Sequence, residues 1–187
     1  MWGDEGAYGT WASYLDVWQK DLQPHDQVLP RLEQRDFTTD TWTRLVNRIF
    51  DAIGGRLRLW SDAFSQSMSR ADSEFGVGVA LTQARVGLAA ILALADHPSL
   101  PDDLRLQLRE VVERQIRSAQ SQLEQQLDRM QQSGSPRSVV DARRRTVRDN
   151  PLDAVLAAGW QATQMAPAAV SSQVDLTKRP KRTFAID

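Results

Sequence analysis

An arginine cluster in the C-terminal part of the sequence carries its strongest chemical signal. On a helix, three of its members share one face and two flank that face: Arg137, Arg144 and Arg148, with Arg143 and Arg145 beside them. Guanidinium groups arranged in this way can bind phosphates, which predicts a nucleic-acid or anionic-surface site. Asp141 lies on the same face, so a ladder of ion pairs within the helix is the alternative. The net charge of −1 does not favour a general nucleic-acid binder, and we rank this function second.

Side chains suited to catalysis or metal binding are sparse. The chain has no cysteine, which excludes disulfides, thiolate metal sites and cysteine nucleophiles. Its two histidines, His25 and His97, lack the Glu-x-x-His spacing of di-iron helical bundles. The segment 76–78 begins like a dinucleotide-binding loop, but its third glycine is missing, and helix packing explains these glycines better. We therefore expect no enzyme activity, no cofactor and no metal.

The spacing of apolar residues predicts an all-α fold, an elongated helical bundle built on two long helices. Residues 38–71 and 100–133 each carry an apolar stripe whose members are three or four residues apart. The second stripe consists of Leu108, Val112, Ile116, Ala119, Leu123, Leu127 and Met130. Residues 73–96 are apolar on every side, which predicts a buried helix between the two long ones.

Local sequence features predict where the segments of this bundle begin and end. The sequence divides into an aromatic N-terminal helix with a proline-broken connector (1–37), the bundle core (38–133), an Arg-rich helix with a final helix (134–166), and an extended basic tail (167–187). Thr38 is expected to cap the first long helix, with Phe37 and Trp42 forming a hydrophobic staple around it. Ser99 is expected to cap the second. The glycine pair 54–55 is expected to allow close approach of another helix.

Aromatic residues near both chain ends suit protein contacts. In the N-terminal helix, Trp11, Tyr14 and Trp18 share a face that either covers the end of the bundle or binds a partner. In the tail, Phe184 and Ile186 alternate with polar residues, as in a peptide that adds a β-strand to a partner. A free C-terminus without a partner is the alternative for the tail.

These patterns favour a non-catalytic helical interaction or assembly protein, an accessory subunit of a larger bacterial complex. It would bind a protein partner through the N-terminal helix and the tail, and self-association through the stripe of the polar helix is a further hypothesis. A third hypothesis is an amphipathic coat protein, because the helix content, size and absence of cysteine broadly resemble those of phasins. The most apolar run, 86–95, is too short to span a bilayer and no secretory signal is visible, so we expect a cytoplasmic protein without a membrane span.

Overall fold

The computed structural model describes residues 4–21 and 28–158. Its helices are α1 Asp4–Asp21, α2 Thr39–Arg70, α3 Glu74–Ala95, α4 Asp102–Gln132, α5 Arg137–Asp149 and α6 Ala154–Ala158, with a 3-10 turn at Gln34–Asp36. Within these two ranges there is no β-strand, and the predicted all-α bundle is confirmed. The bounds of α2, α3 and α4 lie within two residues of those predicted from the sequence.

The core lies where α2, α3 and α4 pack against one another. The predicted stripe of α4 is buried from Leu108 to Leu127, while Met130 is half-buried. α2 buries a stripe of its own from Ile49 to Met68, and also Leu45 one turn before it. Because each large aliphatic side chain contributes about 1.5–3 kcal/mol when fully buried, these two stripes are the main source of stability for the long helices.

The start of α2 is fixed as the sequence predicts, and a glycine follows the end of α4. The Thr38 hydroxyl accepts a hydrogen bond from the backbone N–H of Thr41 at 3.2 Å, and the rings of Phe37 and Trp42 lie 5.7 Å apart. After α4, Gly134 has a φ of +84°, a conformation that side chains with a Cβ rarely adopt. The backbone N–H of Ser135 then donates to the carbonyl of Met130 in the last turn of α4, and the chain continues into α5.

The predicted cap at Ser99 is wrong. Pro101, which has no polar side-chain atom, occupies the position before α4, and the Ser99 hydroxyl donates instead to the Leu29 carbonyl at 3.0 Å. The backbone N–H of Leu32 donates in turn to the Ser99 carbonyl at 2.7 Å. Ser99 therefore ties the connector before α2 to the turn between α3 and α4.

The predicted role of the glycine pair is also wrong. A Cβ atom built on Gly54 or Gly55 would meet no atom of another helix within 4 Å. The close approach occurs at Gly87 of α3, where a Cβ would lie 3.0 Å from Cδ1 of Trp60. The Trp60 indole N–H donates to the Ala84 carbonyl at 2.9 Å, so the ring is held against this glycine.

Three smaller helices complete the bundle. α1 packs against α2, and Arg48 Nη2 donates to Asp16 Oδ1 at 2.7 Å across that contact. α5 lies against both α3 and α4, and α6 lies against α3. α6 is fixed to α4 by the Arg109 guanidinium, which donates to the Leu156 carbonyl at 2.7 Å. Among the described residues, α3 therefore has neighbours on three sides, and its fourth side is exposed.

Candidate docking surface

The outward side of α3 is apolar and exposed. Phe75 is 82% exposed, Val86 is 64% exposed and Val79 is 38% exposed. Thr82 is exposed between them, and three half-buried alanines continue the same line towards the end of the helix. At 100° per residue these positions fall within an arc of about 100°. We call this face the α3 stripe, and it comprises Phe75, Val79, Thr82, Val86, Ala89, Ala90 and Ala93.

The α3 stripe contains no charged residue. The charged residues of this helix, Glu74 and Arg85, lie on the flank towards α5, where Arg85 Nη2 donates to Asn150 Oδ1 at 3.1 Å. Exposed leucines on the other long helices, Leu59 of α2 and Leu106 of α4, each have an acidic residue one turn away. Aligned apolar side chains without interspersed charge are typical of interaction sites, whereas single exposed leucines are common on any surface.

The neighbours of α3 leave room beside the stripe. On one flank, a Cβ at Gly78 would lie 3.8 Å from Cγ2 of Thr146 in α5. On the other flank, Trp60 of α2 packs against Gly87. A shallow depression of about 380 Å³ opens along the stripe and is lined by Phe75, Gly78, Val79, Thr82, Gln83 and Asn150. One further helix packed on this side would complete the surroundings of α3.

The prediction that α3 is buried on every side is wrong for this face. α2 and α4 also contact each other, so they do not enclose α3, and α5 covers only one flank. Among the described helices, α3 is long and apolar enough to cross a membrane, with a mean hydropathy of 1.8 over its most apolar window of 18 residues. Core helices of soluble proteins meet the same criterion, and 44% of this window is buried.

The predicted N-terminal anchors lie in the core of the chain itself. Trp11, Tyr14 and Trp18 are all buried, and the Trp11 indole N–H donates to the Pro30 carbonyl at 2.9 Å. The rings of Trp11 and His97 pack in a T-shaped arrangement with a centroid distance of 5.7 Å. Burial raises the pKa of Tyr14 and lowers the pKa of His97. This arrangement is the first of the two sequence alternatives, in which the aromatic face covers the bundle end.

The predicted tail anchors, Phe184 and Ile186, lie outside the described residues. The structure therefore bears on one of the two proposed contact regions, and there the aromatic rings are enclosed by α2, the connector and the α3–α4 turn.

The structure divides the arginine cluster between two environments. Arg143 is half-buried and donates to the Ala71 carbonyl at 2.9 Å, where its positive charge also suits the C-terminal end of α2. Arg144 Nη2 donates to Asp128 Oδ1 of α4 at 2.7 Å, an interhelical ion pair where the sequence had suggested Asp141. The exposed members are Arg137, Arg145 and Arg148. Two of the predicted phosphate ligands thus hold α5 in place.

A cleft of about 600 Å³ lies between α4 and the α5–α6 connection. Its charged lining mixes both signs, since it contains Glu124, Asp128 and Asp153 as well as Arg144 and Arg148. His97, the histidine within the described ranges, is not among its lining residues; its Nδ1 accepts the Ser99 backbone N–H at 3.2 Å. No group of three or more His, Asp or Glu side chains that could hold a metal ion occurs in the part of the chain that the structure describes.

No family model, no curated protein and no solved structure matches the chain. We therefore infer function from its own surface. The residues that the sequence reasoning missed are Phe75, Val79 and Val86, which the helical pattern had assigned to the core. Their spacing of four and seven residues, with no charge on the same face, is the signal that could have identified an exposed stripe.

Proposed function

We propose that the protein is a non-catalytic helical assembly protein, an accessory subunit that binds a helical protein surface through the α3 stripe. The observation that carries the proposal is the uncharged line formed by Phe75, Val79 and Val86 on the outside of a bundle whose core is otherwise well covered. The tail residues Phe184 and Ile186 remain a predicted second contact with the partner. The N-terminal aromatic face is not part of the proposal, because its rings are buried.

Burial of the stripe can supply the free energy for such binding. Removing apolar surface from water contributes roughly 25 cal/mol per Å², and a fully buried Phe or Val side chain contributes about 1.5–3 kcal/mol. Three such side chains, partly exposed at present, therefore give a gain of several kcal/mol before the cost of association. The alanines at the other end of the stripe let a second helix approach closely.

The proposal is tested by co-purification of the tagged full-length chain from its native host. The stripe variant carries Phe75→Glu and Val86→Glu. The control carries Leu59→Glu, at an apolar residue on α2 whose exposure is similar to that of Val86. We expect a stoichiometric bound protein with the wild type and with Leu59→Glu, and its loss with the stripe variant. Circular dichroism should show the same helix content for all three. If the stripe variant retains the same bound protein, the α3 stripe is not the docking surface.

The arginine cluster supports a second candidate function, because Arg137, Arg145 and Arg148 are exposed on one short helix. A nucleic-acid site there would give an electrophoretic shift at low salt that weakens as salt increases. We expect Arg145→Ala with Arg148→Ala to abolish that shift. No shift of the wild type at low salt removes this function.

The amphipathic coat protein is the third candidate, since the α3 stripe also suits an apolar particle surface. The wild type and Leu59→Glu would then sediment with lipid vesicles and with polyester particles, and the Phe75→Glu, Val86→Glu variant would stay in the supernatant. An assembly subunit would stay in solution in all three cases.

A further inference from the structure

We propose that the occupant of the α3 stripe is a second copy of this chain, packed antiparallel about a two-fold axis beside Thr82 and Gln83. The inference rests on the proposed function, because it names the partner of the same face. It commits to one occupant, and another protein or a segment of this chain is an outcome of the test below.

The stripe is self-complementary in this register. An antiparallel pair about that axis places Phe75 of one copy opposite Ala90 of the other, and Val79 opposite Val86. The bulky end of each stripe therefore meets the small-residue end of its mate, and the contact occurs twice, as a two-fold interface requires. In a parallel pair, Phe75 would face Phe75 and alanine would face alanine, which leaves a gap at one end.

Charge favours the same orientation. The stripe itself is uncharged, so two copies bring no like charges together within it. Glu74 precedes Phe75 at the start of α3, and an antiparallel pair separates the two Glu74 carboxylates along the helix by about 25 Å. A parallel pair would bring them close. The antiparallel pair also sets the positive N-terminal end of each helix dipole beside the negative C-terminal end of the other.

The extent of the stripe determines how tight the dimer is. The overlap from Phe75 to Ala90 is one helix wide and about 24 Å long, which places the interface below about 1,200 Å² of total buried area, in the range of reversible complexes. Each copy already buries its own core, including Trp11, Trp18 and the α2 and α4 stripes. We therefore expect a folded monomer in equilibrium with a dimer whose dissociation constant is of micromolar order.

Cross-linking of introduced cysteines tests both the contact and its direction, because the chain has no cysteine of its own. Full-length Phe75→Cys and Ala90→Cys are treated with a short bis-maleimide, separately and as a mixture, with Ala89→Cys replacing Ala90→Cys if that variant fails to fold. We expect the cross-linked dimer to form several-fold faster in the mixture than in either variant alone. Thr82→Cys, near the axis, is expected to link to itself, and Leu59→Cys on α2 is expected not to do so.

Sedimentation velocity provides the second measurement. Wild type and Leu59→Glu should show a size that rises with concentration in the micromolar range, and Phe75→Glu should stay monomeric. Faster cross-linking of Phe75→Cys with itself than in the mixture overturns the antiparallel pair. A wild type that is monomeric at every concentration overturns the dimer.

The failure of the dimer is distinguishable from the failure of the proposed function. If the chain is monomeric and a different protein co-purifies in a stripe-dependent manner, the second copy is wrong and the docking surface stands. If the chain is monomeric and the thiol of Phe75→Cys reacts much more slowly than that of Leu59→Cys, residues of the same chain, such as 159–187, cover the stripe. That result contradicts the second copy as well.

Discussion

The aromatic face of α1 and the α3 stripe both carry large apolar side chains, but the residues that the structure describes cover only the first. Trp11 and Trp18 are 0% and 2% exposed, whereas Phe75 is 82% exposed. The covered row is held by polar contacts as well as by packing. The Trp11 indole N–H donates to Pro30, and the Arg56 guanidinium lies 5.9 Å from the centroid of the Trp18 ring.

The two rows differ in what they can contribute to stability and to binding. A tryptophan that is both buried and hydrogen-bonded is fixed in one position, so the α1 face stabilises the fold and cannot be offered to a partner without unfolding part of it. Phe75, Val79 and Val86 have no polar atoms in their side chains, and an incoming surface can cover them by burial alone. Apolar side chains therefore support stability in one helix and, in our proposal, binding in the other.

The largest expected effect on stability comes from a substitution in the buried aromatic face of α1. Trp11→Ala should lower the free energy of unfolding by about 3–5 kcal/mol, because it leaves a cavity beside His97 and removes the hydrogen bond to Pro30. Phe75→Ala should change it by less than about 0.5 kcal/mol when the protein is dilute enough to be monomeric. Urea unfolding of both variants measures the contrast, and similar losses would mean that the two rows do not differ.

Alanine substitutions at two glycines should give the next largest effect on stability. Gly87 of α3 lies against α2, whereas Gly54 of α2 has no neighbouring helix close to it. Gly87→Ala should cost about 1–3 kcal/mol, because the new methyl group meets the fixed Trp60 ring at 3.0 Å. Gly54→Ala should instead stabilise by about 0.5–1 kcal/mol, because no atom of another helix lies within 4 Å and alanine favours the helix. Thermal unfolding midpoints that move in the same direction for both would refute this account of Gly87.

The smallest expected effect is a pH dependence that originates in the covered region. Burial lowers the pKa of His97 from its ordinary 6.5, so below pH 6.5 the unfolded chain binds a proton that the folded chain binds only at lower pH. Stability from this group is therefore complete above pH 6.5 and is lost as the pH falls towards the lowered pKa. Unfolding by urea between pH 7 and pH 5 should show a smaller decrease for His97→Gln than for the wild type. Phe75→Ala should retain the decrease of the wild type.

Much of the fold could be predicted because it depends on local rules. The Thr38 cap and the period of the α4 stripe are each set by residues within one or two turns. Ser99 shows where this ends, since its hydroxyl bonds to Leu29, 70 residues away along the chain. Gly54 is a second example, because a glycine in the sequence does not show whether another helix packs against it.

The candidate site was less predictable than the fold for a physical reason. Helical periodicity identifies which side chains are apolar, but the exposure of Phe75 and Val86 depends on how far α5 and α2 extend around α3. The sequence identifies the face that contains Trp11 as a large apolar surface but not what covers it, which is the connector and the α3–α4 turn. Arg144 likewise paired with Asp128 on another helix, which no spacing within α5 could show.

The accessibility of the α3 stripe inside the native host is the most direct test of its role. Val86→Cys and Leu59→Cys each provide a single thiol at positions of similar exposure, 64% and 59%. In the dilute purified protein, a membrane-permeant maleimide should label both at similar rates. In intact cells we expect the thiol at position 86 to react several-fold more slowly than the thiol at position 59, because a partner covers the stripe. Equal labelling rates in cells would show that the stripe is uncovered where the protein works, and would contradict its role as a docking surface.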